Sequence, residues 1–224
     1  MKLEVQKNVM QANNEIAEGL RVKWAEQGLI VLNMISSPGS GKTALLEQTL
    51  QRLQGRVKAG VLVGDIQTEN DAVRLSKYGF PVKQIITSGT CHLEAHMIEK
   101  NLPDVQADSL ELLIIENVGN LVCPSSYDLG EDLKVVALSV TEGEDKPLKY
   151  PGIFRRAKAA VITKVDLLPY LDFDMTLVRE HIHTIHPDLD VLELSSKSGE
   201  GMDRWIDWLL QKVAEKRREQ GAGN

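Results

Sequence analysis

The residues with the clearest chemical meaning lie at positions 35–43, which read ISSPGSGKT between an apolar run and an amphipathic one. Gly39 and Gly41 allow the backbone to turn its N–H groups toward phosphate oxygens, and a following helix presents its positive end to the anion. Lys42 would bridge the outer phosphates, and the hydroxyl of Thr43 would bind magnesium. The segment therefore predicts a phosphate-binding loop and nucleotide chemistry.

The loop departs from the common pattern G-x-x-x-x-G-K-[ST] at its first position, where Ser36 replaces glycine. That position mainly shapes the turn out of the strand, so the change weakens the match but keeps the phosphate cradle. We expect Pro38 and Ser40 to line the nucleotide together with the two glycines, Lys42 and Thr43. A Gly/Ser-rich linker is the alternative, but the flanking apolar run and helical pattern supply the context that the motif requires.

Two acidic residues follow apolar runs further along the chain. Glu116 ends the run LLIIE, and Asp65 ends the run VLVGD. Ligands of open α/β sheets bind at the carboxyl ends of the strands, where a phosphate-loop protein also holds magnesium. Each acid alone could be an ordinary carboxylate, but both beside a phosphate loop predict magnesium ligands that act with Thr43. We assign catalytic roles to Lys42 and to Asp65, with Asp65 or a neighbour positioning the attacking water.

Two further segments bear on the choice of base. Residues 163–166 read TKVD, with Thr163, Lys164 and Asp166, and a later loop contains Ser195, Ser196 and Lys197. A carboxylate can accept hydrogen bonds from the N1–H and exocyclic amine of guanine, whereas adenine has no such pair of donors. The Lys164 stem can cover the purine face, and the Ser-Ser-Lys loop can offer an N–H to the guanine O6. Asp166 therefore favours GTP, and an ATP-dependent kinase is the alternative.

The two cysteines of the chain lie near histidines or near the predicted magnesium site. Cys91 precedes His92 at the predicted start of a helix, with His96 one turn further on, and Cys123 follows the Glu116 strand. Thiolates and imidazoles bind nickel or zinc. Buried thiols and surface histidines remain the simpler interpretation, because two or three ligands leave a metal under-coordinated. A dimer that shares ligands would complete the site.

The elements that position these residues alternate along the chain. Helical patterns cover residues 3–25, 44–53, 70–78, 93–100, 174–185 and 202–218. Apolar runs predict strands at residues 29–35, 57–63, 83–87, 112–115, 135–140, 159–163 and 191–194. This alternation predicts an α/β phosphate-loop NTPase with a mostly parallel, doubly wound sheet and flanking helices. We divide it into an N-terminal helical extension at 1–28, a nucleotide-binding domain at 29–213 and a flexible tail at 214–224.

Composition narrows the class of protein. The chain has 224 residues and a net charge of -6, which argues against a nucleic-acid binder. No run reaches the length of about 18 apolar residues that a membrane span needs, and no signal sequence is visible. Two cysteines are too few for a disulfide framework and are typical of a reducing compartment. We therefore expect a cytoplasmic protein that binds neither nucleic acid nor membrane.

Four segments in order carry a family resemblance: GDIQT at 64–68, GTCHL at 89–93, ENVGNLVCP at 116–124 and TKVD at 163–166. With the phosphate loop, they resemble the hydrogenase nickel-incorporation GTPases, the HypB family of the SIMIBI class. The resemblance covers residues 28–210 and is most specific at 116–124. The related urease nickel-insertion GTPases share the scaffold but are less similar in that segment.

The resemblance implies a GTPase that dimerises with GTP and assists nickel delivery to the large subunit of [NiFe]-hydrogenase, together with a second maturation factor. It implies that Cys91, His92 and Cys123 are the ligands for nickel or zinc, with His96 as a possible helper. GTP and magnesium are the implied cofactors. A metal-binding module with a vestigial nucleotide site remains the alternative from a different class of function.

Overall fold

The structure, a computed structural model, describes residues 2–66 and 70–222. Seven parallel strands form one sheet in the order β3-β2-β4-β1-β5-β6-β7. The strands are β1 (Ile30–Ser36), β2 (Ala59–Asp65), β3 (Val82–Ile86), β4 (Leu112–Glu116), β5 (Leu133–Ser139), β6 (Ala159–Thr163) and β7 (Asp190–Glu193). Each predicted run becomes a strand with ends shifted by a few residues. The predicted α/β class with a doubly wound parallel sheet is confirmed.

The helices that flank the sheet are α1 (Lys2–Gln27), α2 (Lys42–Leu53), α3 (Asn70–Ser76), α4 (Ala95–Asn101), α5 (Cys123–Ser126), α6 (Lys146–Lys149), α7 (Pro151–Arg156), α8 (Met175–Ile185) and α9 (Met202–Ala222). Short 3₁₀ helices cover Pro103–Val105, Ala107–Ser109 and Val165–Tyr170. Within residues 2–66 and 70–222, no helix combines the length and the apolar character that crossing a membrane requires.

The sheet is covered on both faces, which explains why its strands are continuous apolar runs. On one face, α2 and α9 pack through Leu46 and Trp205. The other face is covered by α1 and α4 toward β2 and β4, and by α7 and α8 toward β5 and β6. The central strands β1 and β4 are buried over their whole length, so the loops at their carboxyl ends start from a rigid base.

The strand register brings the predicted site residues to one edge. Met34 of β1 and Val63 of β2 both pair with Glu116 at the end of β4. The strand order reverses at β1, whose neighbours are β4 on one side and β5 on the other. A crevice forms outside the carboxyl ends at such a reversal, and it is the usual ligand site of this architecture.

The N-terminal helix is part of the packed structure. Ala17, Leu20 and Trp24 are buried in the same cluster as residues of β4. The helix ends at Gln27, and the next residue, Gly28, has a φ of 64° in the left-handed region. Leu29 then donates its N–H to the Trp24 carbonyl at 3.0 Å, which closes the helix and directs the chain into β1.

The C-terminal helix continues beyond the predicted boundary. We predicted a flexible tail from residue 214, but α9 extends to Ala222. The charged side chains of this part find partners, since Lys216 pairs with Asp132 at 2.6 Å and Arg217 pairs with Glu111. Gln220 also donates to the Glu26 carbonyl at 2.9 Å. These contacts explain why residues 214–222 are helical, and residues 223–224 lie outside the described part.

Candidate functional site

The phosphate loop joins the buried end of β1 to the start of α2. Gly39 and Gly41 have φ values of 78° and 87°, so both occupy the left-handed region where glycine is favoured. Ser36, which replaces the usual first glycine, is fully buried and donates its hydroxyl to the Ser37 carbonyl at 2.9 Å. The turn therefore accommodates the serine. Helix α2 begins at Lys42, directly after the loop.

Ser40 holds the loop to the neighbouring strand ends. Its hydroxyl is 2.7 Å from the Ser37 carbonyl and 2.8 Å from Oε1 of Glu142. The same Oε1 accepts the N–H of Ser139 at 3.0 Å. In the sequence, Glu142 is only the first residue of a charged run at 142–146 that reads as an exposed loop after a strand. Its contact with Ser40 makes it a structural support of the phosphate loop.

Glu116 lies directly beside the start of α2. The Thr43 hydroxyl donates to Glu116 Oε1 at 2.7 Å, and Lys42 Nζ is 3.7 Å from the same oxygen. Burial raises the pKa of Glu116, although the positive charge of Lys42 opposes the shift. Glu116 Oε2 is buried and has no hydrogen-bond partner within the described residues. A buried carboxylate oxygen next to a threonine hydroxyl fits the oxygen ligands that magnesium prefers.

Asp65 ends β2 at the same edge of the sheet. It lies two positions beyond Val63, which pairs with Glu116, and its Oδ1 accepts the N–H of Ile66. The Gln67 and Thr68 positions of the GDIQT segment lie outside the described residues. The structure therefore brings Asp65 to the predicted edge of the site, and its role with magnesium or water remains a proposal.

The two predicted base-recognition segments meet in one cleft of about 320 Å³. Its lining residues come from the end of the phosphate loop, α2, the end of β6 with the 3₁₀ segment that follows, and the loop after β7: Gly41, Ala44, Thr163, Lys164, Asp166, Leu167, Ser195, Ser196 and Lys197. Every one of the six base-recognition residues predicted from the sequence lines this cleft. The cleft adjoins the phosphate loop because Gly41 belongs to both.

Side-chain contacts fix the shape of this cleft. Thr163 donates its hydroxyl to the Ser40 carbonyl at 2.6 Å, and Lys164 Nζ donates to the Gly39 carbonyl at 2.7 Å. Ser195 donates its hydroxyl to Asp166 Oδ1 at 2.5 Å, so the two segments are directly joined.

The predicted metal ligands also come together. The Sγ atoms of Cys91 and Cys123 are 2.8 Å apart, and Cys91 Sγ is 3.8 Å from His92 Nδ1. The ligand atoms of Cys91, His92 and Cys123 all lie within 4.8 Å of one another. The prediction that Cys91 and His92 start a helix was wrong, because α4 begins only at Ala95. His96 on that helix is more than half exposed and is not part of this cluster.

The environment of the cluster suits a metal. His92 stacks on Tyr127 with ring centroids 3.8 Å apart. Burial lowers the pKa of His92, which favours the neutral imidazole that metal binding requires. The hydrogen bond with Cys91, together with burial, raises the pKa of the Cys123 thiol, which opposes the thiolate form until a metal displaces the proton. Two sulfurs and one imidazole form a donor set typical of zinc, nickel or copper.

One short segment connects the two sites. Asn117 follows Glu116 and is almost fully buried, and its Oδ1 accepts the N–H of Leu93, the residue after His92. Further along, a Cβ on Gly119 would lie 3.2 Å from Cα of Pro38 in the phosphate loop. The segment then reaches Cys123. It therefore touches the phosphate loop, the end of β4 and the metal-ligand cluster.

Comparisons with known proteins agree with these features. A family model described as CobW/HypB/UreG, nucleotide-binding domain, matches residues 30–193. The hydrogenase maturation factor HypB of Escherichia coli (strain K12) is 50% identical over 92% of this chain and 71% of its own length.

Two crystal structures are also similar. HypB from Archaeoglobus fulgidus has a TM-score of 0.85 at 39% identity, covering 91% of this chain and 99% of its own. HypB from Helicobacter pylori in complex with nickel has a TM-score of 0.85 at 42% identity, covering 91% and 96%. The chain therefore belongs to the HypB family of hydrogenase maturation factors, within the CobW/HypB/UreG group of nucleotide-binding domains.

Proposed function

We propose that this chain is a GTP-hydrolysing metallochaperone that assists nickel insertion into [NiFe]-hydrogenase. The observation that carries the proposal is the segment from Glu116 to Cys123, which begins beside the phosphate loop and ends in a cluster of two thiols and an imidazole. A structural change at the nucleotide could therefore reach a metal ligand through this one short segment of the chain. Hydrolysis would then serve metal transfer rather than metabolism.

Asp166 supports GTP as the nucleotide. Its carboxylate lines the cleft next to Gly41, and Ser195 fixes one of its oxygens. The carboxylate can also accept hydrogen bonds from the N1–H and exocyclic amine of guanine. Adenine has no such donor for this partly buried carboxylate, so its affinity should be lower.

Hydrolysis would depend on positioning the attacking water and on stabilising the negative charge of the phosphoryl group. The N–H groups of the phosphate loop and Lys42 spread the charge of the transferring phosphoryl group, which is the main source of catalysis in such reactions. Thr43, Glu116 and Asp65 would hold magnesium, which neutralises charge on the phosphates when bound. Asp65, or a neighbour in the adjoining segment, would orient the attacking water. We expect turnover to be slow until a partner or second subunit completes the site.

Dimerisation would complete the metal site as well. Cys91, His92 and Cys123 supply three ligands, whereas zinc and tetrahedral nickel sites need four. We propose a homodimer that forms with GTP and shares ligands between its subunits. The further partners are a second maturation factor and the large subunit of the hydrogenase. Nickel is the proposed cargo because the similar Helicobacter pylori structure contains it, and zinc binds the same donor set.

We place this activity in the cytoplasm. Both Cys91 and Cys123 are free thiols. A reducing compartment keeps such thiols available as ligands.

The decisive test of the activity is GTP hydrolysis by the wild type and by Lys42→Ala. We expect the variant to lose about 100-fold or more in turnover, as when one charge-stabilising donor is removed. Lys77→Ala, an exposed lysine after α3, is the matched control and should hydrolyse GTP like the wild type. Unchanged hydrolysis in Lys42→Ala, with circular dichroism showing an intact fold, would refute the assignment. Metal binding without any hydrolysis in the wild type would instead favour a metal-binding module.

A further inference from the structure

Glu94 lies between two histidines at the edge of the metal-ligand cluster. Its Oε1 is 3.5 Å from His92 Nε2, and its Oε2 is 3.4 Å from His96 Nδ1. The Glu94 side chain is 20% exposed and that of His92 is 12% exposed, whereas that of His96 is 54% exposed. The carboxylate therefore connects a buried imidazole to a solvent-facing one.

The two nitrogens of the His92 ring have different neighbours. Nδ1 lies 3.8 Å from the thiol sulfur of Cys91. Stacking on Tyr127 fixes the plane of the ring. Nε2 is buried and makes no hydrogen bond of ordinary geometry within the described residues. The Glu94 carboxylate is the acceptor that lies close enough to satisfy this nitrogen after a small side-chain movement.

We propose that Glu94 is a positioning residue of the metal site: it accepts the Nε2–H of neutral His92 and leaves the lone pair of Nδ1 for the metal. The proposal rests on the metal site proposed above. In this arrangement His96 contacts the other oxygen of Glu94 and is not itself a metal ligand.

The chemical reason is the tautomer of the imidazole. A neutral imidazole carries one proton, and the partner of one nitrogen decides which nitrogen is free to bind metal. Metal-binding histidines usually donate their other N–H to a carboxylate or carbonyl, and loss of that partner typically weakens metal binding about 10–100-fold. Without Glu94, His92 would populate both tautomers and part of the population would present a protonated Nδ1 to the thiols.

The direct test is the tautomer of His92 in the metal-free protein, read from ¹⁵N chemical shifts by NMR. The wild type should show the Nε2–H tautomer, and Glu94→Ala should shift His92 toward a mixture. Nickel affinity, measured by competition with a chelator, should fall about 10–100-fold in the same variant. Glu99→Ala, an exposed glutamate on α4, is the matched control and should leave both measurements unchanged.

Two further variants separate positioning from folding. Glu94→Gln keeps an oxygen that can accept the Nε2–H, so it should retain the wild-type tautomer and most of the affinity. His96→Ala should weaken nickel binding less than Glu94→Ala does. Glu94 makes no capping hydrogen bond with its side chain at the start of α4, so its replacement leaves the helix start intact.

The outcomes are distinguishable from failure of the metal site itself. A wild-type tautomer and wild-type nickel affinity in Glu94→Ala would overturn the role of Glu94. A loss of affinity with an unchanged tautomer would overturn it too, since positioning must act through the ring. Nickel binding that survives Cys123→Ala would instead overturn the proposed metal site.

Discussion

Asn117 Oδ1 accepts a hydrogen bond of 3.2 Å from the N–H of Leu93. Asn117 directly follows Glu116, which contacts the phosphate loop, and Leu93 directly follows His92 of the metal cluster. The Asn117 side chain also donates to Asn33 in β1 at 3.1 Å. One buried amide thus ties the loop that contains Cys91 and His92 to the strand ends beside the phosphate loop.

Replacement of Asn117 should loosen this connection. Asn117→Ala leaves the buried Leu93 N–H and Asn33 oxygen without their partner, and each such loss costs about 1–3 kcal/mol. We therefore expect a lower free energy of unfolding in urea and a smaller effect of nucleotide on nickel affinity. Asn101→Ala in α4 is the control, since the Asn101 side chain donates to the Met97 carbonyl one turn earlier. Wild-type stability of Asn117→Ala would show that the buried amide is dispensable.

Asp166 should determine base preference. Asp166→Asn keeps an oxygen for Ser195 but replaces the acceptor facing guanine by a donor. GTP affinity should fall about tenfold or more, as expected for a lost hydrogen bond to a charged group. Xanthosine triphosphate, which has an oxygen where guanine has the amine, should gain in relative affinity. Competition binding measures both, and the exposed Asp172→Asn serves as control. If GTP affinity is unchanged, Asp166 does not read the base.

The docking of α1 should depend on pH. Arg21 in α1 forms two hydrogen bonds with the Asp128 carboxylate, at 2.8 and 2.6 Å. Burial raises the pKa of Asp128, but the Gly130 N–H and Arg21 outweigh it, so its pKa lies below the usual 3.8. The unfolded state therefore takes up a proton first as pH falls, and the contribution of Asp128 to stability is present above pH 3.8 and lost below it.

Both partners are partly exposed, so this contribution is at most about 1 kcal/mol. Asp128→Asn should reduce the free energy of unfolding at pH 7 and flatten its dependence on pH below 4. Urea unfolding across that range measures the effect. An unchanged pH profile in the variant would mean that Asp128 carries no such contribution.

Much of the fold and site follows from local sequence signals. The seven strands are long apolar runs, and the phosphate loop is marked by its glycines, so both could be predicted without tertiary information. The short helices α5, α6 and α7 have too few residues to show helical periodicity. Cys91 precedes a polar segment that could begin a helix, and only the packed structure shows that α4 starts later.

The residues that support the two sites could not be predicted from local sequence patterns. Glu94, Asn117 and Glu142 act through partners distant in sequence or through the orientation of a neighbouring ring. No spacing rule predicts such contacts, because they depend on how strand ends and loops meet. The packing of α9 beyond residue 213 was missed for the same reason, since Lys216 pairs with Asp132, which lies 84 residues earlier in the chain.

The central claim is that nucleotide state controls the metal site, and nickel affinity measured with GDP and with a non-hydrolysable GTP analogue tests it most directly. Coupling between sites is typically worth about 5–150-fold in affinity, so the wild type should differ at least about fivefold between the two nucleotides. Lys42→Ala should lose this difference, and Cys123→Ala should lose the nickel. Equal nickel affinity of the wild type with both nucleotides, under conditions where both are bound, would contradict the account.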